Sequence, residues 1–111
     1  MTQGGTLMLI NELKGKALDE FMDGILTLET KEECYAFFDD LCTVNEIKTL
    51  IQRFQVAKML YNNNTYNKIE TEAGASTATI SRVKRSLYHG NDSYELMFSR
   101  MKNNSNSKKT D

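Results

Sequence analysis

The chain has 111 residues, room for one domain, with no proline, six glycines and 40 % hydrophobic residues. Alternating β-branched runs are missing, which excludes a strand-rich fold, and no apolar run approaches the ~18 residues of a bilayer span. The formal charge of −1 hides a split: residues 1–50 carry ten acids against four lysines, −6, while residues 51–111 carry ten cations against five acids, +5, so a basic half can meet a polyanion.

Residues 1–13 read as a flexible leader. The segment TLMLI within it is too short for a signal-peptide core and has no cleavage pattern after it, so the expected location is the cytoplasm, with no membrane partner. A helical domain is expected over 14–101. Its first helix, over 16–28, puts Leu18, Phe21, Met22, Ile25 and Leu28 on one face. Thr30 caps a second helix to Leu41, with Glu33 three positions on as a capping box. Cys34 and Cys42 in this region read as buried free thiols. No secretion signal favours a disulfide, and with a single, distant histidine they fall short of a zinc site. Thr43 and Glu46 form another box and open the longest helix, over 44–61. Ile47, Leu50, Ile51, Phe54, Val56, Met59 and Leu60 spread around this helix, so it must be covered on several sides, and a second copy of the chain is a natural source of cover.

Asn62, Asn63 and Asn64 end that helix, because asparagine tolerates left-handed geometry. Thr65 caps a short helix over 66–73, Gly74 turns the chain, and Ser76 or Thr77 caps a helix to about Leu87. The segment HGND stops it, and a last helix over 92–101 carries Tyr94, Met97, Phe98 and Met101 as its apolar stripe. The tail 102–111 reads as disordered and polar.

The stretch 65–88 has the build of a helix-turn-helix. Ile80, Val83 and Leu87 bury one face of the second helix and leave Thr77, Ala78, Ser81, Arg82, Lys84 and Arg85 outside or at the edge, with Thr79 near the exposed N-terminal end. Small residues at the start of such a helix let its backbone approach a major groove, threonines can bond base edges or phosphates, and the cations can neutralise phosphates. Residues 73–91 contain no acid. A helical hairpin with a solvated basic face would share the pattern, and so would a helix-turn-helix used for protein contact within the transcription machinery, although a protein-docking helix more usually mixes its charges.

The segments LCTVNEIKTLIQRFQVAKML and TYNKIETEAGASTATISRVKRSL resemble the Trp repressor superfamily, most closely its YerC/YecD branch, over about residues 12–101. The resemblance implies a six-helix all-α fold in an intertwined homodimer, and a sequence-specific regulator of transcription, a repressor by analogy, that binds double-stranded DNA. It places Thr77, Ala78, Thr79, Ser81 and Arg82 against DNA, with Tyr66, Asn67 and Lys68 near phosphates. Ser76, Lys84 and Arg85 complete the expected DNA-facing set. The superfamily's tryptophan pocket corresponds to Thr43, Arg53, Arg82, Val83 and Ser86. There a glycine is replaced by Val83, whose isopropyl group takes part of the indole's volume. Tryptophan is therefore not an expected effector, and no cofactor or other effector is indicated.

Catalysis has no foothold in the sequence. The acid pairs Glu32–Glu33 and Asp39–Asp40 are adjacent, so on a helix they point about 100° apart and do not converge. His89, in a turn beside a glycine, suits a helix C-terminus better than a ligand role.

Overall fold

In the computed structural model, which describes residues 9–109, six α-helices follow one another with no strand among those residues. They are α1 (Lys16–Leu26), α2 (Lys31–Leu41), α3 (Val44–Tyr61), α4 (Tyr66–Ala73), α5 (Thr77–His89) and α6 (Ser93–Lys109), preceded by a 3₁₀ turn over Leu9–Leu13. The chain forms two compact units, one ending at Lys48 and the other beginning at Thr49.

In the first unit the capping residues set the helix starts. The Thr30 hydroxyl accepts the Glu33 N–H at 3.0 Å, and the Glu33 carboxylate accepts the Glu29 N–H at 2.8 Å. At the start of α3 the box is reciprocal: Thr43 Oγ1 accepts the Glu46 N–H at 3.1 Å and Glu46 Oε1 accepts the Thr43 N–H at 2.8 Å. Helix α1 stops at Leu26, two residues before the expected end, because the N–H groups of Thr27 and Leu28 bond three residues back, to Gly24 and Ile25. Phe21 packs on Phe37 with ring centroids 6.2 Å apart. Among the described residues, α1 and α2 hold no buried residue, and Cys34 and Cys42 are free but half-buried rather than buried as expected.

The second unit holds the packed core. Val56, Ala57, Met59 and Leu60 of α3 meet Ile69 of α4, Ala75, Ile80, Val83 and Leu87 of the α5 region, and Phe98 of α6. Phe98 is the aromatic hub, with Phe54, Tyr61 and Tyr94 at 5.3, 5.1 and 6.0 Å between ring centroids. The triple asparagine ends α3 by a left-handed cap. Asn63 takes φ 64°, its N–H bonds to the Leu60 carbonyl at 2.9 Å, and the Asn64 N–H reaches back to Met59 at 3.0 Å. That cap aims the chain into α4.

Both ends of the chain depart from expectation. Leu9–Leu13, placed in the flexible leader, form the 3₁₀ turn; residues 1–8 lie outside the described residues. Helix α6 runs to Lys109, well past residue 101, where the disordered tail was expected to begin. The stretch 102–109 lacks an apolar stripe, which is why it read as disordered, but it also lacks glycine and proline, so no residue in it breaks a helix already begun.

Candidate nucleic-acid interface

Helices α4 and α5 are joined by a tight turn built around one glycine. Gly74 takes φ 64° and ψ 27°, left-handed geometry that costs any side-chain-bearing residue, and its N–H bonds to the Glu70 carbonyl at 3.0 Å. From α3, the Gln52 side-chain amide donates to the Ala73 carbonyl at 3.3 Å and the Gly74 carbonyl at 3.1 Å. These bonds take up carbonyls that a helix end leaves without an intrahelical partner. Each helix starts on a hydroxyl cap: Thr65 accepts the Lys68 N–H, and Ser76 accepts the Thr79 N–H.

The register of α5 is fixed by Ile80, Val83 and Leu87, which are all buried. Their spacing turns Thr77, Ala78, Ser81, Arg82, Lys84 and Arg85 outward, and all six are exposed. Thr79, expected to lie open, is half-buried. It belongs to the cap, where the Ser76 hydroxyl donates to the Thr79 hydroxyl at 3.1 Å while accepting the Thr79 N–H. Ser76 is exposed, but its hydroxyl is occupied by this cap.

On α4, Asn67 and Lys68 are exposed, and Lys68 makes a 3.9 Å ion pair with Glu72, one turn on. Both partners are roughly half exposed, so the pair holds Lys68 only loosely. Tyr66 is half-buried against the core, and the Lys84 ammonium lies 5.6 Å from its ring centroid. Tyr66, Ser81, Lys84 and Arg85 thus come together around a shallow pocket of about 240 Å³, with Tyr88 and His89 completing its rim. Those last two were not among the expected site residues. Their spacing of four from Lys84 and Arg85 on one helix was the available signal.

A further residue absent from the expected set is Glu70. The Thr77 hydroxyl donates to Glu70 Oε2 at 2.6 Å, across the turn from α5 to α4. The acid-free run 73–91 thus has a carboxylate from the preceding helix bonded at its leading edge. The two residues sit on different helices either side of the Gly74 turn, so periodicity within a helix could not reveal the bond.

The residues matched to the tryptophan pocket are divided. Thr43 belongs to the unit ending at Lys48, where its hydroxyl serves the α3 cap. Arg53 and Arg82 are exposed, and the Ser86 hydroxyl donates to the Arg82 carbonyl at 3.4 Å. Val83 is 3 % exposed and part of the packed core.

Among the described residues, no helix is long and apolar enough to cross a membrane. The family model described as Trp repressor protein matches residues 16–102. A Bacillus subtilis (strain 168) protein called YerC, itself uncharacterized, is 62 % identical over 95 residues, covering 86 % of this chain and 91 % of its own length. A crystal structure of a proposed Trp repressor from Staphylococcus aureus superimposes with a TM-score of 0.84 at 64 % identity, over 86 % of this chain and 96 % of that one. A TrpR-like protein from Eubacterium eligens ATCC 27750 follows with a TM-score of 0.80 at 53 % identity, over 82 % and 94 % of the two chains. With its helix order, its helix-turn-helix and these relatives in agreement, the chain belongs to the Trp repressor family, alongside YerC-like members.

Proposed function

We propose that the protein is a sequence-specific DNA-binding regulator of transcription rather than an enzyme. It acts in the cytoplasm as a homodimer, with repression as its mode and without L-tryptophan as corepressor. The observation that carries this reading is the outer face of α5, where three cations and the small residues Thr77, Ala78 and Ser81 stand exposed on a helix anchored by Ile80, Val83 and Leu87. Small side chains at the start of the helix suit close approach to base edges, and the cations that follow suit phosphates. Membership of the Trp repressor family supports the same reading.

Homodimerisation is supported by apolar surface on the earlier helices. Leu26 is 80 % exposed, Ile51 58 % and Leu41 51 %, and among the described residues α1 and α2 hold no fully buried residue. Apolar area of this kind on a small chain finds cover in a second copy. Independence from tryptophan is supported by Val83, a bulkier residue than the glycine of the superfamily's pocket at the matching position, and one packed into the core.

The test is a gel shift on fragments of the source genome across a salt series. A shift that weakens steeply as salt rises supports the reading. No shift even at low salt removes it, and a helix-turn-helix used for protein contact takes its place.

A further inference from the structure

We propose that Glu70, acting through Thr77, makes the start of α5 select a base that offers an amine in the major groove, cytosine above all. The inference rests on the DNA-binding reading above and names what one part of that surface recognises.

A threonine hydroxyl has one hydrogen and two lone pairs, so a free threonine can face a donor or an acceptor and discriminates poorly. Thr77 is not free. Its hydrogen is directed to Glu70 Oε2 at 2.6 Å, the length of a hydroxyl bonded to a carboxylate. What Thr77 Oγ1 still offers outward is lone pairs, and the carboxylate beside it also accepts. Thr77 is the first residue of α5 and is exposed, while Glu70 is half-buried on α4, the element that holds it in place. The pair therefore presents acceptors at the point where a reading helix meets base edges.

In the major groove the donors are the amines of cytosine and adenine; guanine and thymine present acceptors. Adenine sets an acceptor nitrogen beside its amine, whereas cytosine sets a carbon there, so an acceptor-only pair suits cytosine best. Guanine or thymine at this position would set acceptor against acceptor and leave both without a partner. Glu70 thus converts an indifferent hydroxyl into a discriminating one. Its charge also repels phosphates, which lowers affinity for DNA of every sequence.

The experiment is selection of binding sites from a random duplex library by the parent chain and by Glu70→Ala, Thr77→Val and Thr77→Ser, with circular dichroism to confirm the helical fold of each. The parent and Thr77→Ser should select cytosine at one position per half-site. Glu70→Ala and Thr77→Val should lose that preference and keep the rest of the site. In direct titrations the parent should prefer cytosine over thymine there by about 5- to 150-fold, falling toward unity in these two variants. Glu70→Ala should also bind unselected DNA more tightly. If Glu70→Ala binds all sequences more tightly but keeps the parent's preference, Glu70 is a repelling charge and nothing more, and the proposal is overturned. A parent that selects guanine or thymine there overturns it equally. Should Thr77→Val fail to fold, the contrast of Thr77→Ser with Glu70→Ala still decides. A parent that selects no sequence at low salt defeats the DNA-binding reading itself, an outcome distinct from the others, and this proposal with it.

Discussion

Gln52 holds Gly74: its side-chain amide nitrogen lies 3.1 Å from the Gly74 carbonyl oxygen and 3.3 Å from that of Ala73. One side chain of α3 thereby ties down the turn that orients α5. Gln52→Ala should destabilise the fold by about 1–2 kcal/mol, the net worth of two such bonds. Urea denaturation with an unchanged m-value is the check.

Two glycines in the second unit resist replacement for different reasons, and their alanine variants should rank accordingly. At Gly74 a Cβ meets nothing within 4 Å, so Gly74→Ala bears only the left-handed backbone cost, about 1–2 kcal/mol. At Gly90 a Cβ would overlap the backbone carbonyl of Ser86, which has no flexible end to move aside. Gly90→Ala should therefore be the more destabilising of the two, as thermal melts of the pair would show.

L-tryptophan should give only heats of dilution in calorimetry at micromolar protein, because Val83 is packed into the core. A dissociation constant in the micromolar range contradicts this. Val83→Gly should be destabilised by roughly 3 kcal/mol, combining the helix penalty of glycine with the cavity it leaves.

Much of this could be read along the chain, and the exceptions share a cause. The bounds of α3 and α4, the reciprocal Thr43–Glu46 box, the left-handed turn at Gly74 and the buried triad of α5 all express local spacing and local backbone chemistry, which a linear sequence carries. The Glu70–Thr77 bond and the Gln52 clamp run across a turn or between helices, and no periodicity encodes them. Thr79 defies expectation because its position on the helix suggests exposure, while its hydroxyl is drawn into the Ser76 cap. The length of α6 is hidden because its last residues favour neither burial nor a break.

Sedimentation at micromolar concentration should give twice the mass of the chain, since Leu26, Leu41 and Ile51 are too exposed for a stable lone copy. A folded monomer contradicts the dimer. With two reading helices related by a dyad, the preferred half-sites should lie about one helical turn apart, roughly 34–36 Å.

DNA binding by the outward face of α5 is measured most directly by the salt dependence of affinity for the parent, Arg82→Ala, Lys84→Ala and Arg85→Ala, on a selected site and on a scrambled one. Arg82, Lys84 and Arg85 are all exposed, so the alanine variants should melt within about 0.5 kcal/mol of the parent. Lys84→Ala and Arg85→Ala should weaken binding to both duplexes alike and reduce the slope of log affinity against log salt by about one unit for each phosphate no longer neutralised. Arg82→Ala should instead cost about 1–3 kcal/mol mainly on the selected site. Parent-like affinity and parent-like slope in all of these variants, each folded, would contradict the account.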